Sequence, residues 1–582
     1  MQRIALALAL LAAGPCAAQS TFTIVGLPDT QVYAELYPDI FEAQTSWIVE
    51  QRLIRNIRFV SHYGDIVNNG ESHEEWSVAD FAMGTLDSDE LPYGVCPGNH
   101  DITPNGNLYD DYLPENYIEY FGPDRFLNQS WFQGSSPTGM SSYQILDLAD
   151  HTFLFLHLDC GTPIAELAWA QGILDQNRDK PVLLTTHRYL QDAEEVTGEW
   201  PIVPSGRYPS IWYAIEPPWT PSGIQSNDFF MWFVRRNPSI FMVNCGHFSA
   251  EYRQTSSNVE GLLVHEVLAD YQSNAMGGGG YLRLLEFDTA ANTIDVKTYS
   301  PYLDDSLTDD DSQFTLAVDF DAFETDSGFA IFHDGFNAYS GTRDTWISEE
   351  NPNQAYGNAS TRWADDDVAE TPFGDYEGHV LIRFEDILGN ESNGKIPSGA
   401  TITRAYLNLE IEADIDGLFN PDFYVWELVV PWEETSTWNS MNDGLSQEED
   451  LGEYLGEFLG DNEPDNDTLR RIDITPAVQR WADGSPNYGI AILPEIIWGN
   501  DEGIAIWTRE ASNPLMHPTL EVWYESEPGS NPADLNGDGL VNGADLALVL
   551  TAWSSGGGAA DINNDGIVNG ADLALVLMAW TG

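Results

Sequence analysis

The chain is short of positive charge. It carries 23 Lys and Arg against 93 Asp and Glu, a formal charge of −70 over 582 residues. Without a basic surface it is poorly equipped to neutralise a phosphate backbone, which argues against nucleic acid as a partner. Adsorption to an anionic membrane is disfavoured for the same reason. Cysteine is scarce. Of the four, Cys16 falls in the leader, which leaves Cys96, Cys160 and Cys245. An odd, sparse set argues against a disulfide framework, and Cys96 and Cys245, each ending an apolar run, are expected as buried thiols. Long apolar runs are missing except at the start. There Met1-Gln2-Arg3 precede an apolar stretch to Ala13 and then Pro15-Cys16-Ala17-Ala18. That is the pattern of a secretory signal peptide over residues 1–18, too short to span a bilayer. Pro15 stands where a lipoprotein signal has Gly or Ala. The expected location is secreted or extracellular, or periplasmic, with no membrane partner.

What the chain does have is a series of short polar clusters, each after a β-branched or apolar run. Phe22–Leu27 leads to Asp29-Thr30-Gln31. Ile57–Val60 leads to Gly64-Asp65-Ile66-Val67-Asn68-Asn69-Gly70, and Tyr93–Cys96 to Gly98-Asn99-His100-Asp101. Val182–Leu184 leads to Thr185-Thr186-His187, and Ile240–Val243 to Gly246-His247-Phe248-Ser249. Helical periodicity follows the first two clusters, at 40–55 and 74–86. Strands alternating with helices imply β-α-β units, whose ligands gather at the carboxyl ends of the strands. Five such loops bring Asp, Asn and His together, donors suited to divalent ions of hard to borderline character.

In this order the motifs resemble those of calcineurin-like metallophosphoesterases, over roughly residues 20–325. The resemblance implies a four-layer α/β sandwich and two divalent ions, of Mn, Mg, Fe, Zn or Ca, bridged by Asp65. Asn99, His187 and His247 would complete one ion; Asp29 and Gln31 would hold the other. Two positions depart from the family pattern, Gln31 and Ser249 standing where it has His, and both weaken the same ion's site. A single-metal enzyme is the alternative. His100 would give a proton to the leaving oxygen, with Asp101 orienting it through the other ring nitrogen. His62 and Arg188 are candidates for contacting substrate; strand packing and a surface ion pair are their plainer readings. His265, expected on a helix, is read as structural, with ligation as the alternative. The Pro-, Trp- and Tyr-rich stretch 204–221 is read as a loop over the site or a surface clasp, and Gly277–Gly280 as a flexible turn.

Residues 328–525 differ in character, with alternating strands such as His379–Phe384, Ala405–Ile411 and Asp422–Val429 and little helical periodicity. Leu381–Phe384, Ile396–Ala400, Ala405–Leu409, Trp432-Glu433-Glu434 and Thr437-Trp438 are followed by Asp473-Ile474-Thr475, Val478–Trp481 and Asn487-Tyr488-Gly489. This set resembles the DNRLRE domain, which implies an all-β, jelly-roll-like sandwich of a kind found beside secreted carbohydrate enzymes. Extracellular polysaccharide is the partner implied. Trp432, Trp438 and Trp481 are expected in its core.

After a Pro- and Gly-containing linker at 526–533, a twelve-residue loop occurs twice, 27 residues apart. The first places Asp534, Asn536, Asp538, Leu540, Asn542 and Asp545 at positions 1, 3, 5, 7, 9 and 12. The second places Asp561, Asn563, Asp565, Ile567, Asn569 and Asp572 there, with Gly539 and Gly566 at position 6. Oxygen donors on alternate residues and a Gly at the sharp turn make two Ca²⁺ loops, position 7 giving its carbonyl. Leu546, Val549, Leu550 and Trp553, and their repeats Leu573, Val576, Leu577 and Trp580, are expected on one helical face. The pair, at 534–582, resembles a type I dockerin, a small α-helical calcium-binding domain, and implies a cohesin-type partner; a calcium-stapled cap without a partner is the alternative. The sequence as a whole reads as a secreted, multidomain phosphoesterase acting on a phosphate mono- or diester by metal-activated water. A catalytically inactive glycan-binding adhesin and an extracellular nuclease are the rivals.

Overall fold

The computed structural model of the chain describes residues 20–104, 113–192, 205–207, 224–323, 328–365, 377–389, 394–415, 422–460, 468–495 and 503–525, and in the tail 533, 535–536, 541–555, 558, 560–563 and 567–580. The chain divides into two compact units, 1–324 and 325–582.

The first unit opens with β1 (Thr21–Leu27), α1 (Gln31–Leu36), α2 (Pro38–Gln51), β2 (Ile57–His62), α3 (His73–Ser88), β3 (Tyr93–Val95) and α4 (Glu115–Phe121). It continues with β4 (Phe132–Ser135), β5 (Ser142–Leu148), β6 (His151–Leu158), α5 (Ile164–Asp175) and β7 (Val182–Thr186). A small ribbon pairs β8 (Leu190–Gln191) with β9 (Gly206–Arg207). Then come β10 (Ile240–Cys245), β11 (Glu251–Ser257), β12 (Leu263–Ala269), β13 (Leu282–Asp288), β14 (Thr293–Ser300), β15 (Asp305–Leu307) and β16 (Phe314–Ala317).

These strands make two seven-stranded sheets. One runs β15-β14-β13-β1-β2-β3, with β16 also on β14; the other runs β11-β12-β10-β7-β6-β5-β4. β1, β2 and β3 are parallel neighbours, as are β6, β7, β10 and β12. Alternation along β1 shows how the layers form. Phe22 and Ile24 join Phe59, Phe153, Phe155, Phe241 and Phe287 in a core shared by strands of both sheets. Val25 and Leu27 turn the other way, onto Ile40, Phe41, Ile48 and Trp76 of the helices. α2 opens with Pro38 and buries Ile40, Phe41, Gln44, Thr45 and Ile48 at three- and four-residue spacing. α3 is capped by Ser72, whose side chain accepts from the Glu75 amide.

Two expectations are corrected here. His265 lies on β12, not on a helix; it pairs through Nδ1 with Thr255 and through Nε2 with the Ala317 carbonyl. Gly277–Gly280 is not a loose turn. All four glycines are buried with positive φ, and Gly280 N–H donates to the Tyr33 hydroxyl of α1 at 3.0 Å. Side chains there would collide with Val32, Tyr33 and Leu303, so the chain needs glycine for close approach.

In the second unit an eleven-stranded sheet joins Gly328–His333 at one end to Leu451–Leu459 at the other through antiparallel pairs. The fifteen-residue strand Thr401–Ile415 carries it across. Its first half pairs with Thr519–Glu525 and Leu469–Asp473, its second with Gly503–Trp507. Trp432, Trp438 and Trp481 are buried, as expected of core residues. In the tail, helices Gly543–Thr551 and Gly570–Met578 repeat one geometry. Their expected apolar face splits. Val549 and Val576 are buried with Leu546 and Leu573 packed on them, whereas Leu550, Trp553, Leu577 and Trp580 are exposed. Two helices of nine residues enclose too small a core to cover the whole stripe.

Candidate metal centre

Parallel strands deliver their carboxyl ends to one edge, and the expected ligands follow them. Asp29 comes after β1, Asp65 after β2, Asn99 after β3, His187 directly after β7 and His247 after β10. Close packing there demands particular backbones. A Cβ on Gly98 would strike the Asp65 carboxylate, and one on Gly246 would strike that of Asp29. Asp65 and His247 sit at φ 49° and 76°, left-handed conformations that cost energy and recur where function constrains the chain.

Four donor atoms converge. His187 Nε2 lies 3.3 Å from Asp65 Oδ2 and 3.1 Å from Asn99 Oδ1. His247 Nδ1 lies 2.9 Å from Asn99 Oδ1 and 3.2 Å from His187 Nε2. Asp65, His187 and His247 each turn a ligand atom into a space able to hold one ion. His187 Nδ1 faces the Tyr63 carbonyl at 2.9 Å and must donate to it. In neutral His187 the Nε2 lone pair therefore points at oxygen acceptors, which is repulsive unless a positive charge lies between. Burial lowers the His187 pKa, but Asp65, with the Tyr63 carbonyl and Asp101, outweighs burial and holds it above the ordinary value. Conversely, burial would raise Asp65, yet His187 and His100 overcome it and keep its carboxyl low. Burial, with the neighbouring His187, pushes His247 well down. The donor set fits a divalent cation of borderline character.

The neighbouring half is built from oxygen. Asp29 Oδ1 accepts from the His247 amide at 3.1 Å. Asp29 Oδ2 and Gln31 Oε1, both buried, have no hydrogen-bond partner. Such orphaned oxygens are costly without a cation or water to meet them. Ser249 Oγ donates to Asp270 Oδ2 at 3.2 Å, and Asp270 also takes the Gln272 amide at 2.8 Å. Burial and then Asp270 push the Asp29 carboxyl well above its usual range. Asp29, Asp65, Asp101 and Asp270 are all buried, a density of negative charge that bound cations relieve.

Asp101 and His62 take places other than those expected. Asp101 does not orient His100. Its carboxylate faces back into the protein and accepts from the Gly98 amide at 2.7 Å and the Val67 amide at 3.0 Å. His100 Nδ1 instead donates to the Asn68 carbonyl at 2.7 Å, leaving Nε2 for proton exchange, while its amide donates to Asp65 Oδ1. His62 is fully buried and cannot meet a substrate. Its Nδ1 accepts from Gly64 N–H at 3.2 Å and its Nε2 pairs with Thr30 Oγ1 at 2.9 Å. Thr30 passes its proton to the Ile66 carbonyl, so His62 braces two ligand loops against each other, and burial drops its pKa to about 3. Arg188 is buried rather than paired at the surface, and its charge bears on His247 and on Cys160. Glu75 holds the Asp65 loop to the start of α3 through the Asn68 and Asn69 amides.

In the tail, Asp545 and Asp572 are buried and close matching boxes. Asp545 accepts from Asn542 and Asn536 amides at 2.9 and 3.1 Å, Asp572 from Asn569 and Asn563 at 2.8 and 3.1 Å. Asp561 is buried as well, and the Ile567 carbonyl takes the Asn569 side-chain amide. Asp534, Asp538, Leu540 and Asp565 lie outside the described residues, as does most of 204–221.

Residues 532–578 match the Dockerin type I domain. Over 314 residues, 52% of the chain, the sequence is 33% identical to a Bacillus subtilis (strain 168) protein described as uncharacterized protein YvnB; the match spans 22% of that relative's length. Among solved structures, a dimetal phosphatase from Danio rerio aligns at 13% identity over 51% of this chain and 98% of its own, with a TM-score of 0.31. A purple acid phosphatase from yellow lupin aligns at 13% identity over 52% of this chain and 55% of its own, with a TM-score of 0.34. Scores of that size decide nothing about chemistry, which rests on the side chains themselves. Among the described residues no helix is long and apolar enough to cross a membrane.

Proposed function

We propose that the first unit is a metal-dependent phosphoesterase that hydrolyses a phosphate mono- or diester. The observation that carries this reading is the convergence of Asp65, Asn99, His187 and His247 on one point, with lone pairs turned toward one another. When bound there, a pair of divalent cations supplies activation of water and neutralisation of phosphoryl charge. Asn99, His187 and His247 would hold one cation, Asp29 and Gln31 the other, with Asp65 between them. His100 stands beside this edge with Nδ1 fixed and Nε2 available to protonate a leaving oxygen. Asp101 acts by position, fixing the 98–101 loop against Val67. The buried guanidinium of Arg188, whose charge bears on His247, would add positive charge for a phosphoryl oxygen.

The remaining parts give the enzyme an address. We read 20–325 as the catalytic domain, 328–525 as a DNRLRE-like sandwich that binds extracellular polysaccharide, and 534–582 as a Ca²⁺-loaded dockerin that docks to a cohesin-type partner. Residues 1–18 would direct secretion. The test is turnover of nitrophenyl phosphate mono- and diesters by the cation-loaded chain, with Asp65→Asn alongside. Loss of turnover in a folded Asp65→Asn protein is expected. Equal turnover in the two proteins would refute the mechanism.

A further inference from the structure

We propose that Asp270 is a ligand of the second cation position, supplying a carboxylate where Ser249 leaves a gap. This rests on the two-cation reading above. β12 runs parallel to β10, with Leu268 beside Cys245. Two residues beyond that pair, the chain reaches Asp270 on one strand and His247 on the other, so Asp270 emerges at the same edge as the other ligands. It is held there, its amide donating to Ala250 O at 3.0 Å. Its Oδ2 takes hydrogen bonds from Ser249 Oγ at 3.2 Å and Gln272 Nε2 at 2.8 Å, and Gln272 Nε2 also reaches the His247 carbonyl at 3.4 Å.

The second, independent observation is the pair of orphaned oxygens. Asp29 Oδ2 and Gln31 Oε1 are each in residues 2% exposed, and neither has a partner. Asp29 Oδ2 is aimed at Gly246, the residue before His247. Gly278 lies between the Tyr33 hydroxyl and Tyr271, the residue after Asp270, so the chain beyond Asp270 packs against the helix that Gln31 opens. Asp270 thus joins, from a third element, the edge at which Asp29 and Gln31 hold oxygens without partners. Buried carboxylates gathered at one edge repel unless a cation offsets their charge.

The chemistry of this half follows. Its donors would be Asp29, Gln31, Asp65 and Asp270, all oxygen, whereas the Asn99 half has two imidazoles. An all-oxygen set with three carboxylates selects hard cations such as Mg²⁺, Ca²⁺ or Mn²⁺; the imidazole half takes Zn²⁺ or Fe as well. The two positions are therefore unlike, and the centre is built to hold two different metals.

The experiment counts Mn²⁺ bound to the full chain after gel filtration in calcium-containing buffer, using native protein, Asp65→Asn, Asp270→Asn and Asp270→Asn/Ser249→His. The tail loops contribute equally to all four. Asp270→Asn should hold one Mn²⁺ fewer than native, with Zn²⁺ at the imidazole half retained, and the double variant should regain the second cation. Unfolding midpoints in chelator should be no lower for Asp270→Asn than for native. An unchanged Mn²⁺ count and affinity in Asp270→Asn, with cations lost in Asp65→Asn, would overturn the role of Asp270 alone. Unchanged counts in both would overturn the two-cation reading with it. If Asp270→Asn unfolds in chelator, failure of the double variant to regain the cation overturns the proposal.

Discussion

The metal centre and the tail hold their charged oxygens in opposite ways. In the tail, a loop's expected ligands lie within twelve residues, and one carboxylate closes each loop onto its own helix. At the centre they come from Asp29 to His247, and each strand of the path must be in register before any two of them meet. A contiguous site depends on the cation for its shape. A dispersed site has its shape from two seven-stranded sheets and a shared aromatic core. The difference predicts which part collapses when metal is removed, and which merely stops working.

The largest effect should come from Asp65→Asn: turnover of test esters disappears while circular dichroism stays near native. Next, His100→Asn should lower turnover about 10²- to 10⁴-fold, as loss of a general acid does, with metal content unchanged. The loss should shrink for esters whose leaving group needs no proton, which Brønsted plots over substituted phenyl esters would show. Chelation sharpens the contrast with the tail. It should expose the tail to proteolysis while the first unit resists, and Asp572→Ala should destabilise the Gly570–Met578 helix by about 0.5–2 kcal/mol by opening the capping box that Asp572 closes on the Asn569 amide.

The centre should also show a pH signature opposite in sign to that of the tail, where the Asn542 amide holds the Asp545 carboxyl low. Burial, then Asp65, lifts Asp101 to about 7, and burial, then Glu166, lifts Asp159 to about 7. Between about pH 4 and pH 7 these two carboxyls bind more protons folded than unfolded, and their contribution to stability falls as pH rises, whereas His62 and His157, lowered by burial to about 3, act the other way. Between pH 5 and pH 8 the chelated chain should therefore lose more unfolding temperature than its Asp159→Asn variant does, and added Mn²⁺ should restore more at pH 8. The smallest change is Thr30→Val, which removes the bond to His62 and should cost about 1 kcal/mol in a denaturant titration.

Much of this was open to reading before any coordinates. Asp29, Asp65, Asn99, His187 and His247 each follow a strand visible as a β-branched run, and the repeat of the tail is explicit in its spacing. Asp270 was missed for a physical reason. Leu263–Ala269 is buried on almost every residue, so it lacks the alternation that separates a strand from a short apolar helix. Read as helix, it promised nothing at its end; as a strand parallel to β10, it points to Asp270 by the rule that found the others. His62 and Asp101 show the opposite limit. Both lie within three residues of a ligand, yet nearby side chains leave the backbone in different directions, and these two turn inward onto amides and a hydroxyl. No pattern of residue types distinguishes such a brace from a reactive group.

The strand Thr401–Ile415 has a consequence for synthesis. Its first half is flanked by Thr519–Glu525, which in turn receives Gly328–His333, the opening strand of the second unit. Roughly 190 residues must leave the ribosome before that sheet can be closed, and pairings so distant in sequence assemble slowly. The first unit will have its sheets complete long before, and the nascent second unit waits with a long unpaired edge until its last strand arrives. That interval, rather than the finished molecule, is when the chain is most exposed to aggregation.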